Sequence, residues 1–323
     1  MAKGERVAEA GRPARTPAAD APVTVTPALV SLVTINYNQA EVTRQFLESA
    51  RSLTYPNVEI IVVDNASVPA LSTCIDVDHY PNLHLIRSER NLGFTGGNNL
   101  GIEAAKGDFL FIVNNDTELT PTLLDKLLAP FQLDSRIGVT CPKIKFYDSP
   151  DVLQYAGYNS MNMYTGTATP VGLNEPDTGQ YNNPGVTNFA HGCAMMVRRE
   201  VIDRVGRFAD RFFLYYEELD WSQRIKDAGY LIYYQPSAYI LHKESVSVGP
   251  QNPMKTYYLT RNRILYMRRH CSPAQRLVFY LFFAGCVFPK HMASYLLRGK
   301  LKHARAFAKG VFWNFTSTSV STV

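Results

Sequence analysis

The 323-residue chain is short of paired cysteines. Its five, Cys74, Cys141, Cys193, Cys271 and Cys286, are odd in number and scattered, and no two have the two-residue spacing of a zinc or redox site. That excludes a disulfide framework and implies a reduced, cytoplasmic setting. Long hydrophobic runs are missing as well. The most apolar stretch, Leu277 to Phe288, ends on Pro289, Lys290 and His291 and is shorter than the roughly 20 apolar residues a spanning helix needs. Residues 1–27 carry almost no large apolar side chains. Such a segment cannot offset its ordering entropy, so a disordered leader is expected there, without a secretory signal. Net charge is a modest +5, and no nucleic-acid partner is expected.

What is present suits a globular enzyme with a real core: 46% hydrophobic and 19% charged residues. Val30 to Ile35, Val58 to Val63, Leu83 to Ile86 and Phe109 to Val113 are short and apolar, and each gives way to Asn, Asp, Ser or Arg. After the first, Val42, Phe46, Leu47 and Ala50 fall at helical spacing. Strands alternating with helices predict an α/β fold with a nucleotide-binding, largely parallel sheet, whose ligands collect beyond the carboxyl ends of the strands. Residues 147–188, rich in Tyr, Asn, Gly, Thr and Pro, read as a long loop or small antiparallel excursion of the kind that serves as a lid. Helices are expected from Arg199 to Val205 and from Glu217 to Ala228, the second stopped by Gly229. Short strands are expected from Leu231 to Tyr234 and from Ala238 to Leu241. The plan is a leader (1–27), a main domain (28–250, halves 28–118 and 119–250) and a helical tail (251–323). In that tail Arg268, Arg269, Lys290, Arg298, Lys300, Lys302, Arg305 and Lys309 surround the apolar run. This fits a helix lying among anionic headgroups; the competing reading is a buried helix with a solvated basic face.

Four constellations could carry chemistry. The fourth strand stops on Asn114, Asn115 and Asp116, a set suited to a hard divalent cation that also grips a phosphate, or simply to a polar turn. The stretch from Asn91 to Gly101 opens a helix with glycines and free amides that would admit an anion, or it is a tight turn without ligand. It is neither a Walker phosphate loop nor a Rossmann fingerprint. Tyr215 to Trp221 places Glu217, Glu218 and Asp220 at a helix start. The helix dipole welcomes acids there, but one is enough, and crowding in an aromatic wall raises a carboxyl pKa as a general base requires. His242, closing a strand, is a structural hydrogen-bonder unless Asp116 lies beside it.

Five motifs in order carry a resemblance: Thr34-Ile35-Asn36-Tyr37-Asn38, Val62-Val63-Asp64-Asn65-Ala66-Ser67, Asn91-Leu92-Gly93-Phe94 with Gly97-Asn98, Asn114-Asn115-Asp116, and Glu217-Glu218-Leu219-Asp220-Trp221. Over about residues 30–270 the chain resembles the inverting family 2 glycosyltransferases of the GT-A fold, their rhamnosyltransferase-like branch above all. The resemblance implies that Thr34, Asn36 and Asp64 hold base and ribose, with Tyr37 beside them. It makes Asn65 the orienting residue of that loop. Asn91, Gly93, Gly97, Asn98, Asn114 and Asn115 would contact the donor. Asp116 would bind Mg²⁺ or Mn²⁺ with His242, and Glu218 would be the base, with Glu217 and Asp220 flanking it. Asn114 stands where the family's Asp-x-Asp element has its first aspartate, and Gly206-Arg207-Phe208-Ala209-Asp210 departs from the usual Gly-Gly-Phe-Asp-Glu. The implied reaction moves a sugar from a nucleotide sugar, dTDP-rhamnose first, to a hydroxyl of a lipid-linked or polysaccharide acceptor at the inner face of a membrane. A UDP-sugar donor (galactofuranose, glucose or N-acetylglucosamine), an inactive sugar-binding subunit and a sugar nucleotidyltransferase are the rival readings. Oligomeric state stays open, a homodimer included.

Overall fold

The computed structural model describes residues 27–243 and 252–317. All of the expected leader except Pro27 therefore lies outside the described residues, as do 244–251 and 318–323. In chain order the strands are β1 (Val30–Asn36), β2 (Val58–Asn65), β3 (Leu83–Ser88), β4 (Phe109–Val113), β5 (Thr117–Leu119), β6 (Ile137–Phe146), β7 (Leu153–Tyr155), β8 (Gly185–Thr187), β9 (Ala194–Arg198) and β10 (Leu231–His242). The helices are α1 (Ala40–Arg51), α2 (Gly93–Ala104), α3 (Leu123–Leu128), α4 (Arg199–Val205), α5 (Glu217–Asp227), α6 (Pro253–His270), α7 (Pro273–Phe282), α8 (Phe288–Leu297) and α9 (Leu301–Thr316).

One sheet runs β3-β2-β1-β4-β9-β6-β10-β5. Its first four strands are parallel, and β9 then runs antiparallel between β4 and β6. The expected α/β, mixed and largely parallel sheet is what forms. Of the first four strands, β1, β2 and β4 are buried on both faces, which is why they read as apolar runs rather than alternations, while β3 at the sheet edge leaves His84 and Arg87 exposed. Because they are parallel, their polar ends at Asn36, Asn65, Ser88 and Asn114 emerge on one edge.

Two expectations change, and one alternative is settled. The two short strands after α5 are one strand, β10, with a register shift between Gln235 and Tyr239 around Pro236, which has no N–H to give the ladder. Of the two readings of 147–188 the antiparallel excursion forms, through β7, β8 and isolated bridges, and it is pinned by Asp177, which accepts from buried Lys143 at 3.0 Å and pairs with Lys145 at 2.9 Å. Most consequentially, the tail is no appendage. Met254, Lys255, Tyr258 and Leu259 of α6 line the principal cavity, so the boundary expected at 250 cuts through its wall. A second core joins α6–α9 to the main body: Leu265, Tyr266 and Met267 pack with Phe189, Phe212, Phe279, Phe283 and Phe307.

Pro289 also fails to end a helix. A π-turn at Phe283–Val287 absorbs the missing N–H, and the helix runs on from Pro273 to Leu297, with mean hydropathy 1.3 over its most apolar 18 residues. By length and composition it could cross a membrane.

Candidate active site

A cavity of about 830 Å³ opens at the polar edge of the sheet. It is lined by Tyr37, Asn65, Asn91, Gly93, Asn98, Asn114, Asn115 and Asp116, by Tyr215, Tyr216, Glu217 and Glu218 at the start of α5, and by His191 and His242. Asp116, Glu218 and His242, 126 residues apart in sequence at the extreme, thus line one cleft.

β10 carries His242 to the sheet edge beside the turn after β4. Its Nε2 lies 3.1 Å from Asp116 Oδ1, and its Nδ1 lies 2.7 Å from Gln154 Oε1. A carboxamide oxygen can only accept, so Nδ1 carries a proton and Nε2 faces the carboxylate. Two acceptors so close demand a proton or a cation between them. A backing hydrogen bond of this kind is what orients a metal-binding imidazole, so the donor set fits a divalent cation with oxygen and nitrogen ligands. Among the described residues no cluster of three or more His, Cys, Asp or Glu groups could hold a metal. The remaining positions would fall to diphosphate oxygens and water.

Glu217 and Glu218 begin α5. Glu217 is buried, while Glu218 packs on Gly192 and borders the cavity. Each has one inaccessible carboxylate oxygen, Oε2, without a hydrogen-bond partner. Burial raises the Glu218 carboxyl to about 7, and it lifts Glu217 well above the usual range with help from the neighbouring Glu218. The chain enters α5 through left-handed backbone at Phe213, Tyr215 and Tyr216, with φ of 63, 68 and 71°. Non-glycine residues pay roughly 1–3 kcal/mol each for such conformations, which persist only where surroundings fix them. Phe213 O accepts from Phe94 N at 2.7 Å and Thr95 N at 3.2 Å. The acidic turn is thereby tied to the start of α2.

Some expected contacts are not there. Asp220 does not line the cavity: its carboxylate is fully buried and accepts from Arg269 at 2.6 Å, His270 at 2.8 Å and Arg224 at 2.9 Å. Burial alone would raise its pKa, but His270, Arg224 and Arg269 outweigh that and hold it low. It anchors α6 to α5 and is no base. Thr34 is wholly enclosed in β1. Asn36 is turned to Ser67 and Thr43, at 2.9 Å each. Asp64 accepts from Ser67 N and Leu71 N at 3.0 Å and from Arg87, bonds that outweigh burial and keep its carboxyl below the ordinary value. Gly97 serves packing: a Cβ there would meet Ile35 Cδ1 at 2.9 Å, so it lets α2 settle on β1. None of these four lines the cavity. Asn65 does, and it orients its loop as expected, accepting from Leu92 N at 2.9 Å and donating to Asn91 Oδ1 at 3.1 Å.

Other lining residues have no counterpart among the expected ones. Gln154 and Tyr158 come from the 147–188 region, His191 from just before β9, and Lys255 from the segment read as tail. His191 stacks on Tyr158 with centroids 6.3 Å apart, and burial, then His242, lowers its pKa to about 3. The readable hint was His191-Gly192-Cys193 standing just before the buried strand β9.

An open sheet that switches from parallel to antiparallel at a ligand edge, with a carboxylate–imidazole pair and buried acids lining one cleft, defines a GT-A-type sugar-transfer fold. The chain belongs to Glycosyl transferase family 2, whose signature matches residues 31–206. It is 27% identical over 241 residues to the N-acetylglucosaminyl-diphospho-decaprenol L-rhamnosyltransferase of Mycobacterium tuberculosis, covering 68% of this chain and 78% of that one. It is 26% identical over 202 residues to the low-salt glycan biosynthesis hexosyltransferase Agl10 of Haloferax volcanii, 61% of each. Among solved structures, GalNAc-T7 with UDP, GalNAc and Mn²⁺ shares the fold at TM-score 0.57 and 16% identity, over 81% of this chain and 57% of that one. Mannosyltransferase PcManGT from Pyrobaculum calidifontis, with GDP-Man and Mn²⁺, does so at 0.52 and 15%, over 92% and 91%. The protein is a glycosyltransferase of glycan biosynthesis.

Proposed function

We propose that the enzyme transfers a hexosyl group, with dTDP-rhamnose as first candidate donor, to a hydroxyl of a lipid-linked glycan acceptor with inversion at the anomeric carbon. The observation that carries this reading is the placement of Glu218, with its unpartnered oxygen, in the cavity that also holds the Asp116–His242 pair. The donor sugar and the lipid-linked acceptor are suggested by the mycobacterial relative. Tyr37, Asn65, Asn91 and Asn98 would hold the nucleotide side, and Asn114 and Asn115 the diphosphate side. Glu218 accepts the proton of the acceptor hydroxyl as that oxygen attacks; its carboxyl, raised to about 7, suits the task near neutral pH. Glu217, buried beside it at the cavity wall, shares the poorly solvated surroundings. A divalent cation held by Asp116 and His242 would supply Lewis-acid neutralisation of the departing diphosphate.

A donor panel tests the reading. With the full chain and a polyprenyl-diphosphate sugar acceptor, acceptor-dependent release of dTDP from dTDP-rhamnose is expected. Release of UDP from a UDP-sugar would move the donor assignment. Binding without turnover of any donor would point to a sugar-binding subunit, and diphosphate exchange with a sugar phosphate to a nucleotidyltransferase.

The lipid-linked acceptor would be met at the inner face of the membrane. In support, α7–α9 expose Leu277, Leu281, Leu297, Leu301, Phe312 and Phe315 among the exposed bases Lys290, Arg298, Lys300 and Lys302. That pattern suits a surface set into anionic headgroups. Leu281→Glu with Leu297→Glu is expected to weaken sedimentation with phosphatidylglycerol vesicles more than about tenfold, since each leucine buried in lipid contributes ~2 kcal/mol. Equal sedimentation of variant and parent would refute the membrane assignment.

A further inference from the structure

Asn262 has no part in the chemistry above, yet it holds the turn that delivers Glu218. It lies on α6, is fully buried, and its Nδ2 donates to Phe212 O at 2.8 Å, Leu214 O at 2.8 Å and Tyr215 O at 2.7 Å. One amide nitrogen carries two hydrogens, so three carbonyls converge on a shared donor. Its Oδ1 accepts from Arg261 Nε at 2.8 Å, which fixes which end of the amide faces the turn. Arg261 adds bonds of 2.6 Å to Arg211 O and Phe212 O. These carbonyls belong to the segment that contains left-handed Phe213, Tyr215 and Tyr216. Without a donor at their focus the oxygens repel, and the turn can relax to ordinary backbone, swinging the first residues of α5. Behind α6 stands α9: Asn314 Nδ2 donates to Arg261 O at 3.0 Å, and the Trp313 ring lies 4.6 Å from the Arg261 guanidinium.

We propose that Asn262 is a positioning residue of this transferase, holding the curled turn that sets the Glu218 carboxylate against the reacting hydroxyl. The inference rests on Glu218 as base. The nucleotide side of the cleft is built from β1, β2, β4 and the start of α2; the turn meets it at that helix start, where Phe213 O accepts from Phe94 N and Thr95 N, so donor binding should change far less than turnover. That difference makes the role measurable.

In the full-length protein Asn262→Asp keeps shape but turns acceptor oxygens on three carbonyls, while Asn262→Thr keeps one donor. Because a misplacement of about 1 Å can cost ~10²-fold, kcat is expected to fall roughly 100-fold in the first and less in the second, with donor KM within about threefold. Affinities for UDP and dTDP, measured calorimetrically with Mn²⁺, should stay within about the same threefold. The acid limb of kcat should also move below that of the parent, because a loosened turn admits water to Glu218. Glu217 and Tyr216 sit on the same turn and move with Glu218, while Tyr158, His191, Asp116, His242 and Lys255 face the cavity from other elements. Parental kcat in a folded variant would overturn the proposal. So would a parallel loss of kcat, nucleotide affinity and melting temperature with the limb unmoved, the mark of a merely structural role. If Asn262→Asp does not fold, Asn262→Thr gives the reading. Full turnover in Glu218→Gln would remove the base assignment itself, whereas an inactive Glu218→Gln beside a fully active Asn262→Asp would sink the positioning role alone.

Discussion

Glu218→Gln is expected to lower turnover by about 10²–10⁴-fold, the usual contribution of a positioned base, while nucleotide-sugar affinity stays near that of the parent. The same variant should melt at a higher temperature at pH 8. The sign follows from the raised carboxyl: a group whose pKa goes from 4.5 to about 7 on folding holds its proton more tightly in the native state. Its contribution to stability is therefore full below about 4.5 and is lost as pH rises through about 7. A glutamine removes that penalty, so the gain appears above neutrality and vanishes near pH 4. Parental kcat should decline about tenfold per pH unit below the same midpoint, since only the carboxylate can accept a proton. Calorimetric melting at two pH values beside a pH–rate profile checks both halves. A variant that keeps turnover, or one that melts lower at pH 8, would count against the assignment.

The second large effect is expected at the carboxylate–imidazole pair. Asp116→Asn should cost ~10²-fold or more in kcat/KM and shift the half-saturating Mn²⁺ concentration upward, because a neutral amide no longer neutralises a cation. Gln154→Leu removes only the acceptor behind His242 Nδ1. It should weaken Mn²⁺ binding by about 10–100-fold, the usual cost of losing such a backing hydrogen bond. Binding of Mn²⁺ in the presence of UDP, followed by the paramagnetic signal of the free ion, gives a readout separate from turnover. Indistinguishable titrations in parent and both variants would leave His242 and Asp116 as a structural pair.

The half of the cleft built by β1, β2 and β4 was legible because its signal is local. A strand buried on both faces must be apolar, and the place where Val113 gives way to Asn114 marks its end without further information. The same locality misled at Gly97, whose need for a missing side chain comes from Ile35 on another element. Asp64 misled likewise: its carboxylate is consumed by Ser67, Leu71 and Arg87. At the acidic turn, spacing offered three carboxylates at one helix start with nothing to separate them. The separation lies in their partners, for Asp220 is held by Arg224, Arg269 and His270, and Glu218 is left to the cavity.

By itself the sequence determined β1 to β4, their polar endings and the family, because periodicity and short motifs are written along the chain. Only the tertiary structure decided that Asp220 is consumed by pairing, that Gln154 and His191 enter the cleft, and that α6 is a wall of the site rather than part of a tail. Burial and hydrogen-bond pairing are set by residues that meet across 50 to 126 positions of intervening chain. No local pattern encodes such meetings.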